Sequence, residues 1–146
     1  MADLHGPLRT EHFTLEIDGT ELEGFTEIQI PNHITQRAEY RTGDGFNHQR
    51  ALWSQGEYED LVVTRPVDNK TDLYDWREKV EEGDVEGARV DVAVLLGDSN
   101  GESILRWNFT NAWPREYIPP TLSAEATDPA VETLIICHEG MERVEQ

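Results

Sequence analysis

Cys137-His138-Glu139 places a thiol, an imidazole and a carboxylate side by side, the group types from which nucleophiles, acid–base pairs and metal sites are made. The zinc-protease pattern H-E-x-x-H would need a second histidine at 142, where Glu stands. A protein metal site needs three or four converging ligands, and His5, His12, His33 and His48 follow no ligand spacing. His138 therefore reads as a structural side chain. Cys137 ends an apolar run with no adjacent lysine or arginine, so a buried, inert thiol is expected. Asp98-Ser99-Asn100-Gly101-Glu102 lacks the third acidic position and the distant glutamate of a calcium loop, and reads as a hairpin turn. Asn69-Lys70-Thr71 and Asn108-Phe109-Thr110 match the glycosylation sequon; Asn108 falls in a strand pattern, which leaves Asn69 as the open site. No catalytic residue, no cofactor-binding residue and no metal ligand is assigned, and no enzymatic activity is expected.

The elements around these residues read mainly as strands. Phe13, Leu15 and Ile17 alternate with polar residues and run into Asp18-Gly19, a strong hairpin signal. One returning strand is expected over 21–30, ended by Pro31-Asn32, then another over 35–41. Residues 42–55 read as a long loop carrying Phe46, Leu52 and Trp53, the kind of loop that has a function of its own. Residues 58–65 form a strand around Leu61-Val62-Val63, stopped by Pro66. One helix is expected over 71–82, with Leu73, Trp76 and Val80 on a single stripe and Gly83 as its stop. Strands follow over 89–96 and 102–109. A last strand over 133–138 is apolar on both faces, which places it centrally or at an interface. Seven or eight short strands and one helix predict an antiparallel β-barrel or sandwich with one flanking α-helix, as a single domain over 1–146.

Composition narrows the function. Thirty acidic residues oppose 12 basic ones, a net charge of -18, and Lys70 and Lys79 are the only lysines. Such a surface argues against binding the phosphate backbone of nucleic acids, which requires Lys and Arg. It fits either an ordinary acidic protein or one adapted to molar salt, where the Debye length is only about 3 Å and self-repulsion is screened. No apolar stretch approaches the ~20 residues of a membrane helix, and the start of the chain has no signal-peptide pattern. A lone cysteine excludes a disulfide framework, so synthesis in the cytoplasm is expected. Trp53, Trp107 and Trp113 add aromatic surface of the kind that concentrates at interfaces.

Five segments, in order, resemble the tail tube proteins of contractile phage tails and related injection systems. They are Phe13-Thr14-Leu15-Glu16-Ile17-Asp18-Gly19, then Glu39-Tyr40-Arg41-Thr42-Gly43, then Asp72-Leu73-Tyr74-Asp75-Trp76. Asn111-Ala112-Trp113-Pro114 with Tyr117 follows, and then Ala130-Val131-Glu132-Thr133-Leu134 with His138-Glu139-Gly140. Departures from the family pattern, at Ile30-Pro31-Asn32, Leu52-Trp53-Ser54-Gln55-Gly56 and Thr64-Arg65-Pro66, are expected to fall in loops or at strand ends.

The resemblance implies a structural subunit that closes into six-membered rings, with the rings stacked into a hollow tube conducting DNA or protein. It implies residues 42–56 bridging to a neighbouring subunit or ring, and the helix at 71–82 near subunit contacts. The implied partners are further copies of the chain, a contractile sheath, baseplate or initiator proteins, a terminator, and the cargo in the bore. Neither membrane insertion of the subunit nor specific nucleic-acid binding is implied. The assembled particle would be a virion tail or an injection particle that can act outside the cell. A monomeric β-barrel holding a small ligand inside is the alternative that the strand count leaves open.

Overall fold

The computed structural model describes residues 12–41, 49–68, 70–97, 103–125 and 127–145. Alternation sets the first hairpin. In β1 (Phe13–Ile17), Leu15 is fully buried between less buried neighbours. Asp18 and Gly19 take φ of 50° and 80°, and β2 (Thr20–Leu22) returns with Thr20 opposite Ile17. Positive φ at both central residues is what a type I′ turn requires, and Asp-Gly supplies it at little cost. The single strand expected over 21–30 is two strands. Gly24 turns the chain at φ 92°, and β3 (Glu27–Gln29) pairs with β6 (Leu61–Pro66) instead of continuing beside β1.

A second correction concerns the long loop. Residues 49–55 belong to β5 (Gln49–Tyr58), which pairs with β4 (His33–Arg41) in a separate two-stranded sheet. Its register sets Ala38 against Leu52 and Glu39 against Ala51. The run Gln-Arg-Ala-Leu-Trp-Ser-Gln-Gly lacks a clean period of two, so cross-strand pairing and not alternation defines this strand. The rest of the expected loop, residues 42–48, lies outside the described residues, as does the expected turn at 98–102. Tyr58 closes β5, and Glu59-Asp60 separates it from β6, so the strand expected over 58–65 begins at Leu61.

The expected helix is α1 (Asp72–Glu81), with Leu73 and Trp76 buried and Val80 packed on the core. Thr71 stands at its N-cap, yet its hydroxyl bonds the Asp75 side chain at 3.0 Å and makes no bond to the helix backbone. A second, unexpected helix follows: α2 (Val85–Ala88), capped by Asp84, whose side chain accepts from Gly87 N at 3.0 Å. Four residues are too few to show a helical period. The indole Nε1 of Trp76 donates to the Ala88 carbonyl at 2.6 Å and ties the two helices together.

The remaining strands are β7 (Val90–Gly97), β8 (Ser103–Ile118), β9 (Val131–Cys137) and β10 (Gly140–Glu145). Among the described residues ten strands and two helices thus replace the expected seven or eight and one. All pairings are antiparallel. The large sheet runs β2-β1-β7-β8-β9-β6-β3, with β10 also on β8. β8 is shared by two halves. Its first part lies between β7 and β10, and its last part pairs with β9. β9 is central, between β8 and β6. Side chains from both halves and from α1 meet in one core that includes Leu15, Leu61, Leu73, Phe109, Leu134 and Ile136.

Phe109 is fully buried at the centre of this core. Phe109→Ala is expected to lower the unfolding free energy by about 3–5 kcal/mol in urea titrations, whereas Leu122→Ala, at a site 82% exposed, should stay within about 0.5 kcal/mol of the parent.

Candidate functional site: the sheet corner, the buried ion cluster and the open edges

β8 changes partners at Asn111, a non-glycine residue at φ 50°. Asparagine tolerates this left-handed geometry better than most residues. The opposing ribbon, β9 then β10, breaks at the same level, at His138-Glu139. The Asn111 amide donates to a Glu139 carboxylate oxygen, and Glu139 N donates to Thr110 O at 2.9 Å. Nδ1 of His138 lies 3.2 Å from Gly140 O, and Nε2 lies 3.0 Å from Glu59 O. Its ring meets Phe109 edge-on at 5.0 Å and Tyr58 at 5.4 Å. Two segments quoted from the sequence, 111–114 and 138–140, thus meet in space at one corner. His138 engages main-chain carbonyls there and knits the β5–β6 turn to the corner.

A second constellation was not anticipated. Arg65 on β6 is almost wholly buried, directly opposite Glu132 on β9. Its Nη2 lies 2.5 Å from Asp72 Oδ1 at the start of α1 and 3.2 Å from Glu132 Oε1. Tyr117 OH donates to the other Glu132 oxygen at 2.9 Å, and the guanidinium carbon sits 5.5 Å from the centre of the Phe25 ring. Burial alone would lower the Arg65 pKa, but the hydrogen bonds and charges of Asp72 and Glu132 outweigh it and raise the value. Burial likewise pushes Asp72 up, and the hydrogen bond and charge of Arg65 win, holding it below the ordinary carboxylate value. Burial raises Tyr117, and Glu132 adds to the shift. The signal was present in the sequence: Arg65 follows Leu61 and Val63, and Glu132 precedes Leu134 and Ile136, each at a spacing of two. Those positions face inward, so two charges on apolar registers have to meet a partner.

The chemistry-bearing residues of the opening reading are not brought together. Cys137 is half-buried and not fully buried as expected, because it lies on the outer side of β9; its Sγ is 3.7 Å from Trp113 O. Burial raises its pKa, and the charge of Asp60 adds to this. Asn108 accepts a bond from Arg106 Nε at 2.6 Å within the strand, and Asn69 lies outside the described residues. Gly97-Asp98-Ser99-Asn100-Gly101 matches the letters G-x-S-x-G. A nucleophile elbow joins a strand to a helix, whereas here β7 and β8 are antiparallel neighbours. Among the described residues no group of three or more His, Cys, Asp and Glu side chains could hold a metal ion. The described part of the structure also has no helix long and apolar enough to cross a membrane.

What the surface does offer is unpaired backbone and uncovered apolar area. In the row β2-β1-β7-β8-β10, both terminal strands, β2 and β10, have one open edge among the described residues, as does β3 at the far end of the sheet. Open edges are templates for pairing with another chain. Among the outward positions of β6 and β9, Val62, Val131 and Ile135 are half-buried and apolar, with Thr64 and Thr133 between them. An apolar groove of about 300 Å³ lies among Phe13, Ile28, Ile30, Val94, Leu96 and Trp107.

A model of the T4-like virus tail tube protein gp19 family matches residues 9–142. The chain belongs to the tail tube protein family. Among solved structures this tail tube protein is similar to a chain of the sheath–tube complex, in its extended state, of the extracellular contractile injection system PVC. The two share 21% identity over 98% of this chain and 95% of that one, with a TM-score of 0.86. A chain of the cap that terminates the tube of the anti-feeding prophage matches with a TM-score of 0.84 and 21% identity, over 96% of this chain and 92% of that one. Hcp1 from Salmonella typhimurium matches at 0.58 and 15% identity, over 90% and 83%. At these identities what is shared is the fold. No curated protein matches the tail tube sequence.

In this tail tube protein the fold holds Asp72 charged below its ordinary pKa. Its contribution to stability is complete above the unfolded carboxylate value and is lost as pH falls through the folded one. Asp72→Asn should therefore lower the urea midpoint at neutral pH, and the gap to the parent should close on acidification; a gap independent of pH would refute the assignment. Glu132→Gln, which leaves buried Arg65 with one carboxylate, should cost about 1–3 kcal/mol in the same titration.

Proposed function

We propose that this chain is the structural subunit of the inner tube of a contractile phage-like tail or extracellular injection system. Six copies close into a ring, and rings stack into a hollow tube through which DNA or protein passes. Each copy enters as one domain, performs no reaction and binds no cofactor. The contractile sheath surrounds the tube, a baseplate or initiator starts it and a terminator caps it. The subunit is made in the cytoplasm, and the particle acts as a virion tail or is released.

The observation that carries this reading is the pair of open edges, β2 and β10, at opposite ends of one row of strands in a chain of the tail tube family. A ring needs a heterologous contact, in which two different surfaces of each copy match. An open edge at each end of a row supplies two such surfaces, and pairing them removes both edges. The separate β4–β5 hairpin supports the same reading, since a two-stranded hairpin is marginal alone in water and gains by packing on something else.

The net charge of -18 makes assembly depend on salt. Copies repel one another in dilute buffer, and at about 1 M salt the repulsion is confined to ~3 Å. The composition thereby supports a source that lives in high salt. An acidic bore wall, part of the same reading, keeps acidic or polyanionic cargo from adhering. Electron microscopy of the purified protein across a salt series is expected to show rings and rods in molar salt and their loss in dilute buffer. A lone compact particle at every salt concentration would overturn the tube reading; if that particle also took up a small apolar ligand, it would favour the ligand-binding barrel.

A further inference from the structure

Arg65, Arg77, Arg89, Arg106 and Arg115 each form an ion pair with a carboxylate of the same subunit. Arg143, on β10, forms none among the described residues, in a chain with 30 acidic residues against 12 basic ones. Its side chain is exposed. Register sets it opposite Trp107, on the side of the sheet that faces the core. Met141, two residues earlier on that side, packs on the core, whereas Arg143 stands exposed beside the open edge of β10.

The open edge at the other end of the row holds the opposite surplus. A cleft of about 380 Å³ beside β2 lies among Glu21, Leu22, Glu23, Arg65, Lys70 and Asp72. Its inner charges balance: Arg65 pairs with Asp72 and Glu132, and the charge of Lys70 also acts on Asp72. Glu21 and Glu23 are exposed and form no ion pair among the described residues, so they remain as surplus negative charge. Glu21 stands opposite Glu16, on the face away from the core. Leu22 packs on the core, and Glu23 follows it just past the end of the strand, before the turn at Gly24.

Alternation along β2-β1-β7-β8-β10 makes β2 and β10 run in the same direction. Rotation about a ring axis keeps that direction, so a seam between β10 of one copy and β2 of the next is a parallel pair. Such a seam is short, since β2 offers three residues and β10 six. Registers that differ by two residues keep every side chain on its own face, so backbone bonds alone leave the seam free to slip.

We propose that Arg143 of one copy enters the cleft beside β2 of the next and pairs with Glu23, fixing the register of the ring seam. The proposal rests on the tube reading and deepens it by naming the side chains that align neighbouring copies. The core side of β10 continues into the core side of β2 across the seam, so Arg143 points to the flank where the cleft opens. A guanidinium–carboxylate bond has a defined geometry, and closing the seam takes it partly out of water, where salt screens it less. Its role is alignment more than affinity. Arginine and cleft sit at opposite edges of the same chain, so each copy gives one contact and receives another.

Arg143→Glu and Glu23→Arg each place like charges at the seam. Both side chains are exposed, so the circular dichroism and urea midpoint of the subunit should match the parent. At salt concentrations where the parent forms rings, each single variant should lose them in the electron microscope and sediment as free subunits. The double variant should regain them. An equimolar mixture of the two single variants should regain them too, because in an alternating six-membered ring every seam then joins opposite charges. That recovery is open only to a contact between copies. Normal assembly of either single variant, or failure of the double variant or of the mixture to recover, would overturn the pairing of Arg143 with Glu23 and leave the tube reading intact. Absence of rings from the unmodified protein at every salt concentration would instead overturn the tube reading itself.

Discussion

Strand β8 has to supply hydrogen-bond partners to two groups of strands that do not lie in one plane. Sixteen residues would stretch over about 54 Å if straight, longer than a single small domain can keep covered. The strand therefore bends, and the bend falls at Asn111, where a left-handed residue re-aims the chain and the register with its neighbours shifts. The partner ribbon has to break at the same level, which is why β9 and β10 are separate strands. The break leaves main-chain groups without ladder partners. The two ring nitrogens of His138 lie within hydrogen-bond distance of the Gly140 and Glu59 carbonyls, its ring packs on Phe109, and Glu139 accepts from the Asn111 side chain. The imidazole and carboxylate that looked like chemistry in the sequence are the pins of this corner.

The Arg65 cluster answers a different constraint at the start of α1. The helix has to seat Leu73 and Trp76 in the core while its first turn faces the ends of β6 and β9. Apolar contacts alone leave such a seat free to slide or rotate. A buried guanidinium that reaches one carboxylate on the helix and another on the neighbouring strand favours one position, because a buried donor left unmet is costly. Arg65 and Glu132 are themselves cross-strand partners, so the β6–β9 register and the helix position are fixed by the same atoms. Buried charges of this kind contribute less to stability than to uniqueness, which here means one placement of α1 on the sheet.

Legibility in the sequence followed how local each signal is. The β1–β2 turn was readable because Asp18-Gly19 carries its own geometry, and α1 because Leu73, Trp76 and Val80 repeat within ten residues. The central position of β9 was readable from its apolar run. What failed was non-local. Nothing near Gly24 says that the chain leaves one group of strands for another, and nothing within 49–58 announces β5 except its pairing with β4. α2 is too short for periodicity, and Asp84 as its cap is meaningful only once Gly83 has ended α1. The ion cluster was half legible: Arg65 and Glu132 each sit on an inward register, but that they face each other depends on strand order. His138 reads as a structural side chain from the sequence alone, but its place at the corner appears only when residues 111 and 139 meet.

In the tube proposed for this chain, a subunit of net charge -18 has to separate the forces that hold copies together from the charge that drives them apart. Hydrogen bonds along an edge and apolar contacts across a face act within a few ångströms, and salt weakens neither. Repulsion between whole acidic surfaces acts over a Debye length, and salt shortens it to the range of contact itself. The contact groups available among the described residues are main-chain edges at β2 and β10 and the side chains of Val62, Val131 and Ile135 on the outer face of β6 and β9. Charge so arranged has little hold on an assembled contact in strong salt and a large one on an approaching copy in weak salt. On the proposed reading, residues that would keep free subunits apart in dilute solution are compatible with close stacking in concentrated salt, and no basic surface is required to bring copies together.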